Sequence, residues 1–200
     1  MDLFGNKPCL KNTPQAMERF WIWNYTNFII PKFTLETMNL IKTLRRLDLK
    51  SIWVLTKLCL RFPLFIFPTL SATKNCMSIS TQHYGRSHYK NGPANAFRHA
   101  FWNYLIAKKC HHTIKNEAVV LTWVEKITDW HEEAFPNRKL ARKMDLHNNE
   151  VGRFVFLKYS SQTVHNVIVI LKKMALTSSK VNTNSNFANF KNKLVHIIDE

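Results

Sequence analysis

Residues 91–109, N-G-P-A-N-A-F-R-H-A-F-W-N-Y-L-I-A-K-K, decide the fold class. Asn91-Gly92-Pro93 supplies a capping residue and a first-turn proline, so a helix is expected over Ala94 to Lys109. Within it Asn95, His99 and Asn103 recur at i, i+4 and i+8 and stack on one face. Arg98 and Trp102 flank that polar stripe.

Working outward, the pattern stays helical. A second helix is expected from about Asn116 to Ala134, with Val119, Val120, Trp123, Ile127 and Trp130 as its apolar set and Pro136 ending it. A third is expected over roughly Leu140 to Tyr159. After Ser160-Ser161 a fourth carries Val164, Val167, Ile168, Ile170 and Leu171 toward a core. Residues 177–186 are polar and aperiodic and read as a linker, with a short docking helix expected over Phe187 to Ile198. Asn91-Gly92 is the one hairpin-like dipeptide, and it runs into Pro93 and a helix, so no substantial sheet is expected.

Toward the N-terminus, residues 14–31 hold dense aromatics between Pro14 and Pro31 and read as a buried or interface-seeking helix. Thr34 caps a second helical pattern with Met38, Leu40, Ile41, Leu44 and Leu47 opposite Lys42, Arg45 and Arg46. Residues 51–71, S-I-W-V-L-T-K-L-C-L-R-F-P-L-F-I-F-P-T-L-S, come nearest to a membrane span. Lys57 and Arg61 each cost about 2.5–3.5 kcal/mol at a bilayer centre, and Pro63 and Pro68 interrupt the run. A buried core helix is therefore the expectation there, while the basic and aromatic character permits docking on anionic lipid. The fold expected is all-α: a compact helical bundle with an aromatic-rich N-terminal helical extension. Its parts are the extension (1–75), a helical motif-bearing domain (76–176), and a polar linker with a short C-terminal helix (177–200).

Composition sets the bounds. The 200 residues are 46% hydrophobic, enough for a core, with 4 Gly and 7 Pro, so collagen-like and low-complexity classes are excluded. Cysteines at 9, 59, 76 and 110 form no C-x-x-C pair and read as free thiols, with no disulfide partner expected. No charged n-region precedes an apolar h-region, so no secretory signal is read and a cytoplasmic location is expected, with membrane-surface association open. The formal charge is +16. Ten Lys or Arg and no Asp or Glu fall between Asp48 and Glu117, whereas seven of the thirteen acids lie in 117–150. A polyanion partner, nucleic acid or an anionic membrane surface, follows as an expectation.

Chemistry converges on three helices. Besides the Asn95/His99/Asn103 stripe, the second helix offers Glu125, Asp129, His131, Glu132 and Glu133. The third offers Asp145, Asn148, Asn149 and Arg153, with Gly152 allowing close backbone approach. Such groups can meet in a bundle core. His99, His131, Glu132 and Asp145 are the catalytic candidates, and Asn95, Arg98, Asn148, Asn149 and Arg153 the substrate-binding ones. As a metal site, His99, Asp129, His131, Glu132 and Asp145 supply N and O ligands for a divalent ion, although Asp129 and His131 lie about 200° apart around the helix at ~100° per residue. Without metal, His99 or His131 paired with Glu132 or Asp145 serves as general base, and Arg98 or Arg153 holds an oxyanion or phosphate. The plain alternative is a buried hydrogen-bonded network that fixes helix register. A serine triad is not indicated, since no serine lies in the motif blocks. Among the other histidines, His83, His88 and His111-His112 read as loop residues and His147 as exposed, and Trp21, Trp23, Trp53, Trp102, Trp123 and Trp130 read as core.

Three ordered blocks, G-P-A-N-A-F-R-H-A-F-W (92–102), D-W-H-E-E (129–133) and M-D-L-H-N-N-E-V-G-R (144–153), resemble a bacterial domain-of-unknown-function family. That family carries N-A-x-R-H-A-x-W, a D-A-H-E-like element and D-L-x-N-N-x-x-G-R, so the resemblance covers about 90–155. It places motif positions at Asn95, Arg98, His99, Trp102, Asp129, His131, Glu132, Asp145, Asn148, Asn149, Gly152 and Arg153. Similar domains occur at the ends of polymorphic toxins and other effector-like proteins, which implies a small α-helical effector and a hydrolase, while the candidate His, carboxylate and Arg residues point to a phosphate or acyl ester as substrate. The chain departs from the pattern at Trp130, where the family has a small residue. The alternative function is a non-enzymatic basic module.

Overall fold

A computed structural model describes residues 47–135 and 137–199. The chain divides into two compact units, Met1–Leu47 and Asp48–Glu200. The helices expected over 14–31 and 34–47, with Trp21, Trp23 and Cys9, lie outside the described residues. The second unit contains α1 (Leu49–Arg61), α2 (Ile66–Tyr84), α3 (Pro93–Thr113), α4 (Glu117–Ala134), α5 (Lys139–Tyr159) and α6 (Val164–Leu176). Beside these, the described residues form only 3₁₀ turns and a two-residue strand pair, β1 (Ser179–Lys180) and β2 (Val195–His196). The fold is all-α.

Local chemistry sets most boundaries. Asp48 Oδ1 accepts from Ser51 N at 2.7 Å, Asn116 Oδ1 from Val119 N at 3.1 Å and Thr163 Oγ1 from Asn166 N at 3.2 Å, so α1, α4 and α6 begin on side-chain caps. The α3 cap is Gly92 followed by Pro93 at the first helical position, not Asn91. The Asn91 carbonyl instead accepts Ile197 N and Ile198 N, at 2.8 and 3.1 Å.

Helix α3 is the axis of the unit and packs against α2, α4, α5 and α6. It is buried on nearly every side, from Ala94 through Cys110. The tightest approach is to α5: a Cβ added to Gly152 would lie 2.3 Å from Ala100 O and 2.8 Å from Asn103 Cβ. Only a glycine lets the two backbones meet there, which is the close approach read from the sequence. Helix α2 supports α3 through Trp102 Nε1 to Thr73 Oγ1 (2.8 Å), and α4 through Trp123 Nε1 to Thr69 Oγ1 (2.9 Å). Each of these two indole N–H groups thus finds a hydroxyl acceptor on α2, the Trp123 bond fully buried and the Trp102 bond partly so.

Several expectations change. Residues 51–71 are not one buried helix: the chain breaks at Phe62-Pro63, α1 has no buried residue, and Trp53 is exposed. Pro63 lacks the N–H that would continue α1 and opens a 3₁₀ turn instead. No single described helix is long and apolar enough to cross a membrane; α1 and the run Pro63–Tyr84 have the composition together but are bent by 100°. The C-terminal helix expected over 187–198 is a 3₁₀ turn, Phe187–Phe190, followed by β2, which pairs in parallel with β1 inside the expected linker. Asn192, at φ 63°, turns the chain between them. His83 is in α2 and His111-His112 end α3, so none of the three is in a loop. His88 is fully buried, with Nε2 3.0 Å from Thr81 Oγ1, and His147 is half-buried with Nε2 2.9 Å from Lys193 O. Cys59, Cys76 and Cys110 are free, as the spacing implied.

Candidate functional site

The site forms where α3, α4 and α5 meet. His99, Glu132 and Asp145 come one from each helix, all three are buried, and a ligand-capable atom of each lies within 4.8 Å of the others. His99 Nδ1 is 3.6 Å from Glu132 Oε1, and its Nε2 is 3.3 Å from Asp145 Oδ1.

Hydrogen bonds define the ring's tautomer. Arg98 Nη2 lies 2.8 Å from His99 Nε2. A guanidinium only donates, so Nε2 accepts and the proton sits on Nδ1, which donates to Asn149 Oδ1 at 3.1 Å. Asn149 Oδ1 also accepts from Asn103 Nδ2 at 2.8 Å, while its own Nδ2 reaches Glu132 Oε1 at 3.5 Å. Asn103 Oδ1 in turn accepts from Thr128 Oγ1 (3.2 Å) and Arg153 Nη1 (3.3 Å). This inner network holds the imidazole in one orientation.

The two carboxyls are less well served. Asp145 Oδ1 is buried with no hydrogen-bond partner, and it faces a ring nitrogen that carries no proton. Burial pushes Glu132 up to about 7 against the Asn149 bond and the Arg98 charge. Burial and then the neighbouring Glu132 charge push Asp145 up to about 7. Burial, reinforced by Arg98, holds His99 well below its ordinary value and lowers His131 to about 4, so both rings are neutral near pH 7.

A cavity of about 200 Å³ reaches this group at His99 and is lined by Thr73, Cys76 and Met77 of α2, Arg98, His99 and Trp102 of α3, and His131 of α4. The His131 ring stands edge-on to Trp102, with centroids 5.1 Å apart, and among the described residues it makes no hydrogen bond. Burial pushes the Cys76 thiol up to about 12, which removes it as a nucleophile. Trp130 does not obstruct the cavity: its Nε1 donates to Ser51 O at 2.9 Å, turning the ring toward α1.

Of the residues singled out in the sequence, His99, Arg98, His131, Glu132, Asp145 and Asn149 are brought together here. Asp129 is outside the His-Glu-Asp group; it is half-buried, and the charges acting on it come from Arg153, Glu125, Arg142 and Glu133. Asn148 is spent on β2, donating to Val195 O at 2.9 Å and accepting Val195 N at 3.0 Å. Asn95 reaches His88 O at 3.5 Å and leaves its buried Oδ1 unpartnered, while Arg153 sits on Asn103 and 4.0 Å from Glu125. The α2 wall was missed in the sequence, although Thr73, Cys76 and Met77 have i, i+3, i+4 spacing and share a helix face.

The buried His-Glu-Asp group could hold a metal ion. One imidazole nitrogen and two carboxylates form an N,O,O donor set, the other ring N–H is fixed by an amide oxygen as metal-ligating histidines usually are, and Asp145 Oδ1 lacks any other partner.

Fold and site together define an all-α domain built around a buried histidine–carboxylate centre beside a cavity. Residues 56–180 match the family described as a domain of unknown function (DUF6973), and the chain belongs to that family. The expected membership of a domain-of-unknown-function family is thereby met. No curated protein and no solved structure matches the chain.

Proposed function

We propose that the chain is a hydrolase of phosphate esters whose His99, Glu132 and Asp145 hold a divalent cation. The observation that carries the reading is Asp145 Oδ1, a buried carboxylate oxygen without a hydrogen bond, set against the unprotonated Nε2 of His99. Two carboxyls kept in a water-poor site at a cost in solvation are better accounted for by a bound cation than by helix packing, which apolar residues supply equally well. A divalent ion in such a site lowers the pKa of bound water and polarises an ester oxygen.

The chain's own residues supply the rest. Arg98, whose Nη2 lies on His99 Nε2 and which lines the cavity, would hold the anionic group of a substrate with its guanidinium fork were His99, Glu132 and Asp145 to hold a cation. His131 is neutral, lines the cavity and has no hydrogen bond among the described residues. It accepts the proton of the attacking water as the oxygen adds to phosphorus, and the leaving oxygen, on the opposite side of the phosphorus, takes its proton from solvent as the ester P–O bond breaks. Thr73, Met77 and Trp102 receive a small apolar group of the ester.

The test uses the full chain stripped with EDTA, then titrated with Mn²⁺, Zn²⁺ or Mg²⁺ by calorimetry and assayed on a p-nitrophenyl phosphodiester and a p-nitrophenyl acyl ester. Phosphodiester hydrolysis that requires the cation is expected, with Asp145→Asn losing both cation and activity. His131→Gln is expected to keep the cation and lose about a hundredfold in kcat. Absence of cation binding overturns the metal centre, and hydrolysis of the acyl ester alone overturns the substrate class.

A further inference from the structure

The outer face of α1 and the turn that follows it carry an apolar stripe that the bundle does not use. Leu49, Trp53, Thr56 and Leu60 recur at i, i+4, i+7 and i+11 and so align, and Leu49 and Leu60 are 85% and 77% exposed. The opposite face packs Leu55 and Leu58 against the core, so α1 is anchored on one side and apolar on the other. Past the Phe62-Pro63 break the exposure continues at Leu64 (61%) and Phe67 (80%). Exposed large apolar side chains concentrated on one elbow mark an interaction surface.

Charge selects the partner. Lys50, Lys57 and Arg61 share the i, i+7, i+11 spacing and run along the side of the stripe, and no acidic residue occurs between Asp48 and Glu117. The Lys57 ammonium lies 4.8 Å from the Trp53 ring, which pairs the cation with an aromatic of the kind that settles at headgroup level. An apolar face of Leu, Trp and Phe bordered by Lys and Arg is the pattern of a helix lying in a bilayer interface. The chain bends by 100° between α1 and the run Pro63–Tyr84, so the exposed side chains on either side of the break belong to two differently directed helices that meet at this elbow.

We infer that the α1–α2 elbow docks on an anionic lipid surface, inserting Leu60, Leu64 and Phe67 while Lys50, Lys57 and Arg61 meet the headgroups. The experiment is sedimentation of the full chain with phosphatidylcholine vesicles, with and without phosphatidylglycerol. Binding to the anionic vesicles is expected, weakening as salt shortens the Debye length. Leu64→Ser with Phe67→Ser is expected to weaken it about tenfold or more, and Lys57→Gln with Arg61→Gln about fivefold per charge removed. The four side chains are exposed or at the rim, so the melting temperature of both variants stays at the wild-type value. Three outcomes overturn the inference: no pelleting with either vesicle, pelleting that Leu64→Ser with Phe67→Ser leaves unchanged, or a self-association that this variant abolishes while lipid has no effect. Salt-sensitive binding to duplex DNA in place of vesicles, retained in the serine variant, also overturns it.

Discussion

Glu132→Gln separates a carboxylate held at a cost from one that knits the helices together. The Glu132 carboxyl is buried at the α4 side of His99 and is raised from an ordinary 4.5 to about 7, chiefly by burial. A group whose folded pKa lies above its unfolded value contributes stability that is fully present below the unfolded pKa and lost as pH rises through the folded one. At about 1.36 kcal/mol per pH unit, ionising Glu132 in the fold costs the metal-free protein about 3 kcal/mol between pH 4.5 and pH 7 and above. Glutamine keeps the shape and the acceptor for Asn149 Nδ2 and cannot ionise. Asp145 titrates beside it, and loss of the Glu132 charge also makes its ionisation less costly, so the gain is about 3 kcal/mol or more. The assay is urea unfolding of EDTA-treated wild type and variant at about pH 5 and about pH 8. Near-equal stabilities are expected at the lower pH, with the variant ahead by about 3 kcal/mol at the higher. A saturating divalent cation is expected to close that gap from the wild-type side. A variant less stable than wild type by the same amount at both pH values refutes the reasoning, because the carboxylate would then be a structural hydrogen-bonding group.

Two further predictions concern the frame around the site. Gly152→Ala places a Cβ 2.3 Å from Ala100 O and forces α3 and α5 apart, so a loss of about 3 kcal/mol in chemical denaturation is expected; an unchanged midpoint would mean that the helices are not in contact there. Asn148→Ala removes both bonds to the Val195 backbone and leaves a buried N–H and C=O unpaired, at a cost of about 2 kcal/mol. Amide exchange is expected to accelerate at Val195 to Ile198 first, and uniform acceleration across all helices would contradict a local role.

Much of this protein could be read directly. Asn116 begins one helix and Pro93 opens another, as read, because capping and helical period act within a turn or two of chain. The Asn95/His99/Asn103 stripe and the glycine at 152 likewise announced polar groups in a close helix contact. Resemblance in three short blocks pointed to a domain-of-unknown-function family, as the match over 56–180 bears out. What local pattern could not supply was partnership. Asn148 and Asn149 are neighbours of the same residue type, yet one is consumed by a strand 47 residues away and the other orients His99. Residues 51–71 have the composition of a core helix, and only the packing of α1 on α4, with a break at Pro63, turns most of their large side chains outward. The sequence by itself determined where helices run and which polar residues they carry, since those depend on near neighbours. The tertiary structure decided that His99 meets Glu132 and Asp145 rather than Asp129, because that depends on how closely α3, α4 and α5 pack, a quantity set by contacts far apart in the chain.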